Sequence, residues 1–327
     1  MEVRSNAPLL QALRESTAWK TYDHEGDRLS HAYLLISEDR TATEELVRMM
    51  CARAYCKTVC LQCPECRKVF DRVKPDVSEP NPSGEILAVE KVQPIIEDAC
   101  MGSIEGGRKI YVIRNMHLQR ERVQNLLLKT LEEPNDNVTF LLTAEREKGI
   151  LPTVLSRVKS LPLAAFSVEQ TMAILEAEGV ETSEIFAKAA MGNLTLAKEL
   201  STDEDYFAVV DEAVDVLAEL KRTADIPKWL YRDVFGKDNI AKTLDVLEIA
   251  VKDITFVKSG IDQYVVYRNK LSIYRQIAGA YPIRSLPMIL DVINESKLRV
   301  ASFCTAVNVA DNLLLGILEV KSLCAQS

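Results

Sequence analysis

The chain has 327 residues, 47% of them hydrophobic and 27% charged, with 48 acidic against 40 basic side chains and a net charge of −8. Such a length exceeds one ordinary core and predicts two or three domains, and the composition excludes a disordered chain. The acidic balance excludes a nucleic-acid sleeve over the whole surface, so any contact with DNA has to be local.

The N-terminal stretch lacks the charged, apolar and small-residue order of a secretory signal, and no run is long enough to span a bilayer. The expectation is a cytoplasmic protein. Short β-rich runs alternate with helical patterns through the first 165 or so residues, the order that builds a parallel sheet covered by helices. Strands are predicted at Tyr33–Ile36, Ile86–Val89, Ile110–Ile113 and Thr139–Thr143, with a last one near Ser160–Leu163. Between them, VQPIIEDACM and RVQNLLLKTLEE carry apolar residues at the three- and four-residue spacing of amphipathic helices, the second stopped by Pro134 and Asn135.

Beyond Phe166 every pattern is helical. Ser167 is a candidate N-cap with Glu169 and Gln170 in the first turn, SEIFAKAA forms a short helix stopped by Gly192-Asn193, and longer helices follow from about Asp203. The predicted architecture is an α/β domain at 1–166, a small helical domain at 167–203 and an all-α domain at 204–327. In the last of these, Leu313, Leu314, Ile317 and Leu318 form an apolar stripe suited to burial within a bundle or against a neighbour.

Five of the eight cysteines fall between Cys51 and Cys66. In a reducing compartment, Cys51, Cys60, Cys63 and Cys66, spaced C-x8-C-x2-C-x2-C, are the expected ligands of a closed structural zinc site. Cys56 is left as a packing residue. With sulfur at all four corners, such a metal braces the fold and offers no position to substrate. The alternative is a group of buried, unrelated thiols.

The stretches LSHAYL, the cysteine cluster, KIYVIRNMHLQ, NLLLKTLEEPNDNVTFLLTA and ILPTVLSRVKSLPL occur here in one order. In that order and spacing they resemble the AAA+ subunits of the bacterial DNA polymerase III clamp loader over roughly the first 200 residues. The resemblance implies an AAA+ (RecA-like) sheet domain with an inserted zinc module, a helical lid and a C-terminal collar. It also implies ATPase subunits of the gamma/tau type, a delta subunit, the sliding clamp and primer-template DNA as partners.

Laid on the family's phosphate-binding P-loop, the glycine positions fall at Ser37, Arg40 and Ala42, and the lysine and hydroxyl positions at Thr43 and Glu44. Residues with a β-carbon disfavour the positive-φ turns that aim amides at phosphate, and Glu44 and Glu45 bring negative charge to the helix N-terminus. The family's acidic pair for magnesium and water falls at Arg114 and Asn115, and its lid arginine at Thr195 in Gly192-Asn193-Leu194-Thr195. What remains is Leu155-Ser156-Arg157, matching the family's Ser-Arg-Cys motif with Val158 in the cysteine's place. In the family that arginine enters the neighbouring subunit's ATP site, so the resemblance implies a catalytic Arg157 in trans, beside Ser156, and no ATP or ATPase activity on this chain alone.

Two alternatives stay open: an ATPase with an unorthodox P-loop, and a scaffold of the same fold outside the replisome. His24, His31 and His117 form no metal-spaced set, and no nucleophile elbow or zinc-protease helix is present. Glu132 and Glu133 suit a solvated or interfacial face. Arg108, Lys109, Arg114, Arg120 and Arg122 are candidates for a few phosphate contacts with duplex.

Overall fold

The computed structural model describes residues 7–26, 28–132 and 137–325. The chain forms two compact units, Met1–Glu199 and Leu200–Ser327. In chain order the first contains α1 (Ala7–Glu15), α2 (Thr17–His24), β1 (Ala32–Ile36), α3 (Arg40–Arg53), α4 (Pro64–Phe70), β2 (Val77–Ser78) and α5 (Val89–Ala99). It continues with β3 (Lys109–Ile113), α6 (Glu121–Glu132), β4 (Val138–Ala144), α7 (Pro152–Leu155), β5 (Lys159–Pro162), α8 (Val168–Ala177) and α9 (Ser183–Ala189); α10 (Leu194–Thr202) runs across the boundary.

The five strands make one parallel sheet in the order β2-β3-β4-β1-β5. Its middle strands read as nearly unbroken apolar runs because helices cover both faces: every residue of β3 and β4 is buried. Tyr111 of β3 stacks on Phe140 of β4 with ring centroids 5.2 Å apart, inside a core that also holds Leu34, Ile113, Leu127 and Leu142. The edge strand β5 has only Leu161 buried and carries Lys159 and Pro162, residues that discourage further pairing at an open edge.

One predicted strand is absent. Residues 86–88 are irregular, and Val89 opens α5. Ile86 is exposed, and the Leu87 amide donates to the Gln119 side-chain oxygen at 2.8 Å, so that amide is satisfied outside any ladder. The strand beside β3 is instead the two-residue β2. Pro134 and Asn135, expected to stop α6, lie outside the described residues, as does Glu133.

Past the sheet, Ser167 and Gln170 cap α8 reciprocally, the box their spacing suggests. Gly192, at φ +84°, brings its carbonyl to the Phe166 amide at 3.1 Å; a β-carbon there would sit 1.9 Å from the Phe166 carbonyl oxygen, so only glycine fits.

The second unit comprises α11 (Tyr206–Glu219), α12 (Ile226–Leu230), α13 (Ile240–Lys258), α14 (Leu271–Ala280), α15 (Ser285–Ala301) and α16 (Ala306–Ala325), with short 3₁₀ turns between them. Leu313, Leu314 and Ile317 are buried within it. The buried carboxylate of Asp253 accepts from the amides of Val266 and Tyr267, fixing the loop before α14, and the hydroxyls of Tyr206 and Tyr267 meet at 2.7 Å.

Candidate functional site

The loop from β1 to α3 packs at the C-terminal edge of the sheet, where ligands of open α/β folds bind. Asp39 is the N-cap of α3: its Oδ1 accepts from the Ala42 amide at 3.0 Å. The same carboxylate also reaches the start of α10, where Oδ2 accepts from the Leu194 amide at 2.6 Å and Oδ1 from the Thr195 hydroxyl at 2.8 Å. Thr195 returns the link, its Oγ1 accepting from the Thr41 amide at 2.7 Å. One carboxylate, 5% exposed, therefore holds the positive ends of two helices, the position that suits a phosphate. Asp39 stands just before a helical pattern, which is the N-cap signal by which the sequence marks it. Thr195, at the position of the family's lid arginine, has its hydroxyl on this loop.

Across the cleft, Arg114 at the end of β3 is 4% exposed. Its Nη2 donates to Glu44 Oε2 at 2.8 Å and to Glu79 Oε2 at 2.7 Å, and Nε donates to Glu44 Oε1. Burial works against the charged form, but Glu44 and Glu79 hold the guanidinium pKa above its ordinary value. Asn81, fully buried, accepts from the Arg114 amide and donates to the Arg114 carbonyl, fixing the backbone there. Asn115 sits in the left-handed region at φ +52°, which asparagine tolerates, and its side-chain amide donates to the Gly84 carbonyl at 3.0 Å. Ser37, Arg40, Thr43, Glu44, Arg114 and Asn115 all line one cleft of about 440 Å³. Ala42 is buried behind it, with its amide on Asp39. A magnesium ion has no free carboxylate on Glu44, which already serves Arg114 and, at 3.4 Å, Arg72.

Arg157 lies elsewhere on the same unit. It follows α7 directly after Ser156, and its side chain is 32% exposed. Nη1 donates to the Thr153 carbonyl at 2.7 Å and to Ser156 Oγ at 3.1 Å, Nη2 pairs with Glu132, and the Arg157 carbonyl meets His31 Nε2 at 3.0 Å. Val158 packs against the sheet core. The segment leading into α7 is held by Gln124, only 1% exposed. Its Nε2 donates to the carbonyls of Gly149 and Gln119 at 2.8 and 2.9 Å, and its Oε1 accepts from the Leu151 amide at 2.8 Å. The sequence signal for Gln124 is an amide beside Val123 and Leu127 on the apolar face of α6.

The cysteine assignment needs one correction. Cys56, Cys60, Cys63 and Cys66 bring their sulfurs within 4.8 Å of one another; Cys51 does not join them. The reason is the length of α3, which runs on to Arg53 and keeps Cys51 on its buried face, where burial pushes the thiol pKa up. Cys56 is the first cysteine beyond the helix end, so the spacing that counts is C-x3-C-x2-C-x2-C. A tetrahedral zinc–thiolate site, with Zn–S near 2.3 Å, places its sulfurs about 3.8 Å apart. Cys56 Sγ and Cys60 Sγ are 3.8 Å apart, and the amides of Cys63 and Cys66 donate to the sulfurs of Cys60 and Cys63. The Cys60 backbone amide, ahead of other contacts, brings the Cys56 thiol down to about 6, whereas burial pushes the Cys66 thiol up, so the case for a metal rests on the clustering of the four sulfurs. The four residues can hold a metal ion.

Residues 16–167 match the family model described as "DNA polymerase III, delta subunit". The DNA polymerase III subunit delta' of Bacillus subtilis is 24% identical over 308 residues, which cover 90% of this chain and 93% of that protein. The chain is similar, over most of its length in the Bacillus subtilis case, to delta' subunits of DNA polymerase III. The delta' subunit of Haemophilus influenzae is 29% identical over 49% of this chain and 51% of its own length. Escherichia coli subunit tau is 28% identical over 53% of this chain and 29% of its own length.

The family match encloses Asp39, the cleft residues, all four clustered cysteines and Arg157. Thr195 and the helical unit lie beyond it. No helix among the described residues is long and apolar enough to cross a membrane.

Proposed function

We propose that this chain is a delta-prime-type subunit of the DNA polymerase III clamp loader that neither binds nor hydrolyses ATP in its own cleft and instead supplies Arg157 in trans to a neighbouring ATPase subunit, helping to load a sliding clamp on primed DNA. The observation that carries this reading is that the groups a phosphate and a magnesium ion would need beside the cleft are engaged by the chain's own side chains. Asp39 takes the helix N-termini that would hold phosphate, and Arg114, a cation, takes Glu44 and Glu79 where a magnesium site would need free carboxylates. Arg157, by contrast, keeps a third of its side chain at the surface. A guanidinium suits that task because its charge is permanent and its planar fork matches phosphate oxygens.

On this reading the partners are gamma/tau-type ATPase subunits, delta, the clamp and, through a few basic side chains, primer-template DNA; the setting is the cytoplasm. Cys56, Cys60, Cys63 and Cys66 would hold a structural zinc ion, with no coordination position left for substrate.

Reconstitution with the ATPase and delta subunits tests the reading. Arg157→Ala should leave assembly intact while slowing hydrolysis at the site it faces by about 10³-fold, the scale of a lost arginine finger. Turnover equal to that of the unaltered loader overturns the role of Arg157, and tight binding of magnesium-ATP by the isolated chain overturns the inert cleft.

A further inference from the structure

The contact that the proposed function leaves unused is the one Arg157 makes with Glu132. Glu132 is the last described residue of α6 and lies toward the C-terminal end of that helix, where the helix presents its negative end and a cation is favoured. A carboxylate there is unfavourable unless something positive neutralises it, and the group that does so is the Arg157 guanidinium. Both side chains are substantially exposed, at 47% and 32%, so the pair is screened by solvent and readily exchanged. The rest of the fork is held on its own segment by Thr153 and Ser156 through Nη1, and Nε has no partner among the described residues.

We propose that Glu132 is a positioning residue that clasps the Arg157 guanidinium until the polyphosphate on a neighbouring subunit displaces the carboxylate. This rests on the reading of Arg157 as a group acting in trans. While the clasp is closed, the charge of Arg157 is neutralised and one Nη2 donor is engaged. A phosphate group, with more negative charge and three acceptor oxygens, competes for the same fork, and Thr153 and Ser156 keep that fork in place as the carboxylate leaves. The clasp therefore suppresses engagement when the neighbouring site is poorly aligned and yields when the loader closes.

The experiment is steady-state ATP hydrolysis by the reconstituted loader, without clamp or DNA and then with both, at low and high salt. Glu132→Gln and Glu132→Ala should raise the unstimulated rate about two- to five-fold, as expected for loss of one exposed ion pair, and change the stimulated rate little. Glu132→Asp should restore the low basal rate, and the rise should shrink at high salt, where the unaltered clasp is itself screened. A Glu132→Gln basal rate equal to that of the unaltered loader, with Arg157→Ala still defective, overturns the clasp and leaves the role of Arg157 standing. If both Glu132 variants fall as far as Arg157→Ala, the carboxylate aligns the fork for catalysis and the clasp is wrong. If Arg157→Ala itself has no effect, the failure lies in the reading beneath.

Discussion

Arg114 and Arg157 are both arginines paired with glutamates, and their settings divide the first unit into a closed region and an open one. Arg114 is 4% exposed, contacts two carboxylates and is flanked by the fully buried Asn81. Arg157 is one third exposed and, among the described residues, contacts one carboxylate, that of Glu132. A buried charge whose partner is removed has nowhere to turn, so the first arrangement is fixed once folded; an exposed pair exchanges with water and salt, so the second can trade its partner. The same chemistry is thus fixed in one place and exchangeable in the other, and burial decides which.

The largest expected contrast comes from the cysteine module, because Arg72, just beyond α4, reaches Glu44 in the closed region and nothing from the module reaches Arg157 among the described contacts. Cys56→Ser should abolish stoichiometric zinc on the purified chain, whereas Cys51→Ala should retain it; metal analysis of both proteins decides between the two cysteines. Equal zinc in Cys56→Ser and the unaltered chain would remove Cys56 from the ligand set. Arg114→Ala comes next. It strands Glu79, leaves Glu44 with only its 3.4 Å contact to Arg72, and should lower unfolding stability by about 3–5 kcal/mol in urea titration, against about 1 kcal/mol or less for Arg157→Ala. Similar losses at the two positions would erase the distinction drawn from burial.

Much of the closed region is visible in the chain itself. The runs that became β1, β3 and β4 are apolar on both faces, which only a covered parallel sheet satisfies, and the replaced residues at 37–44 and 114–115 converge on one cleft. Where the reading went astray, a distant partner or a helix end decided the outcome. Ile86–Val89 looked like a strand, but the Leu87 amide is claimed by Gln119, 32 positions away. Spacing favoured Cys51 over Cys56 because it does not show how far α3 runs before the chain turns. The pairing of Glu132 with Arg157 joins residues 25 apart on different elements, and neither residue type nor periodicity announces it.

A smaller effect than at Arg114 is expected at Asp39, where the closed region meets the start of α10. Asp39→Ala removes the acceptor for the Ala42 and Leu194 amides and for the Thr195 hydroxyl, uncapping α3 and leaving groups at the start of α10 unsatisfied. A lost cap typically costs about 1 kcal/mol, and the shared role here argues for up to about 2 kcal/mol in urea titration. Asp39→Asn keeps one acceptor oxygen for the α3 amide but gives up the charge that faces both helix ends, so it should fall between the two. Hydrogen exchange supplies the sharper measure: amides at 41–42 and 194–195 should lose protection together in Asp39→Ala, while those around Arg157 stay as they are. Loss confined to 41–42 would mean that the carboxylate caps α3 alone, and the link to α10 would then have to rest on Thr195 and Thr41.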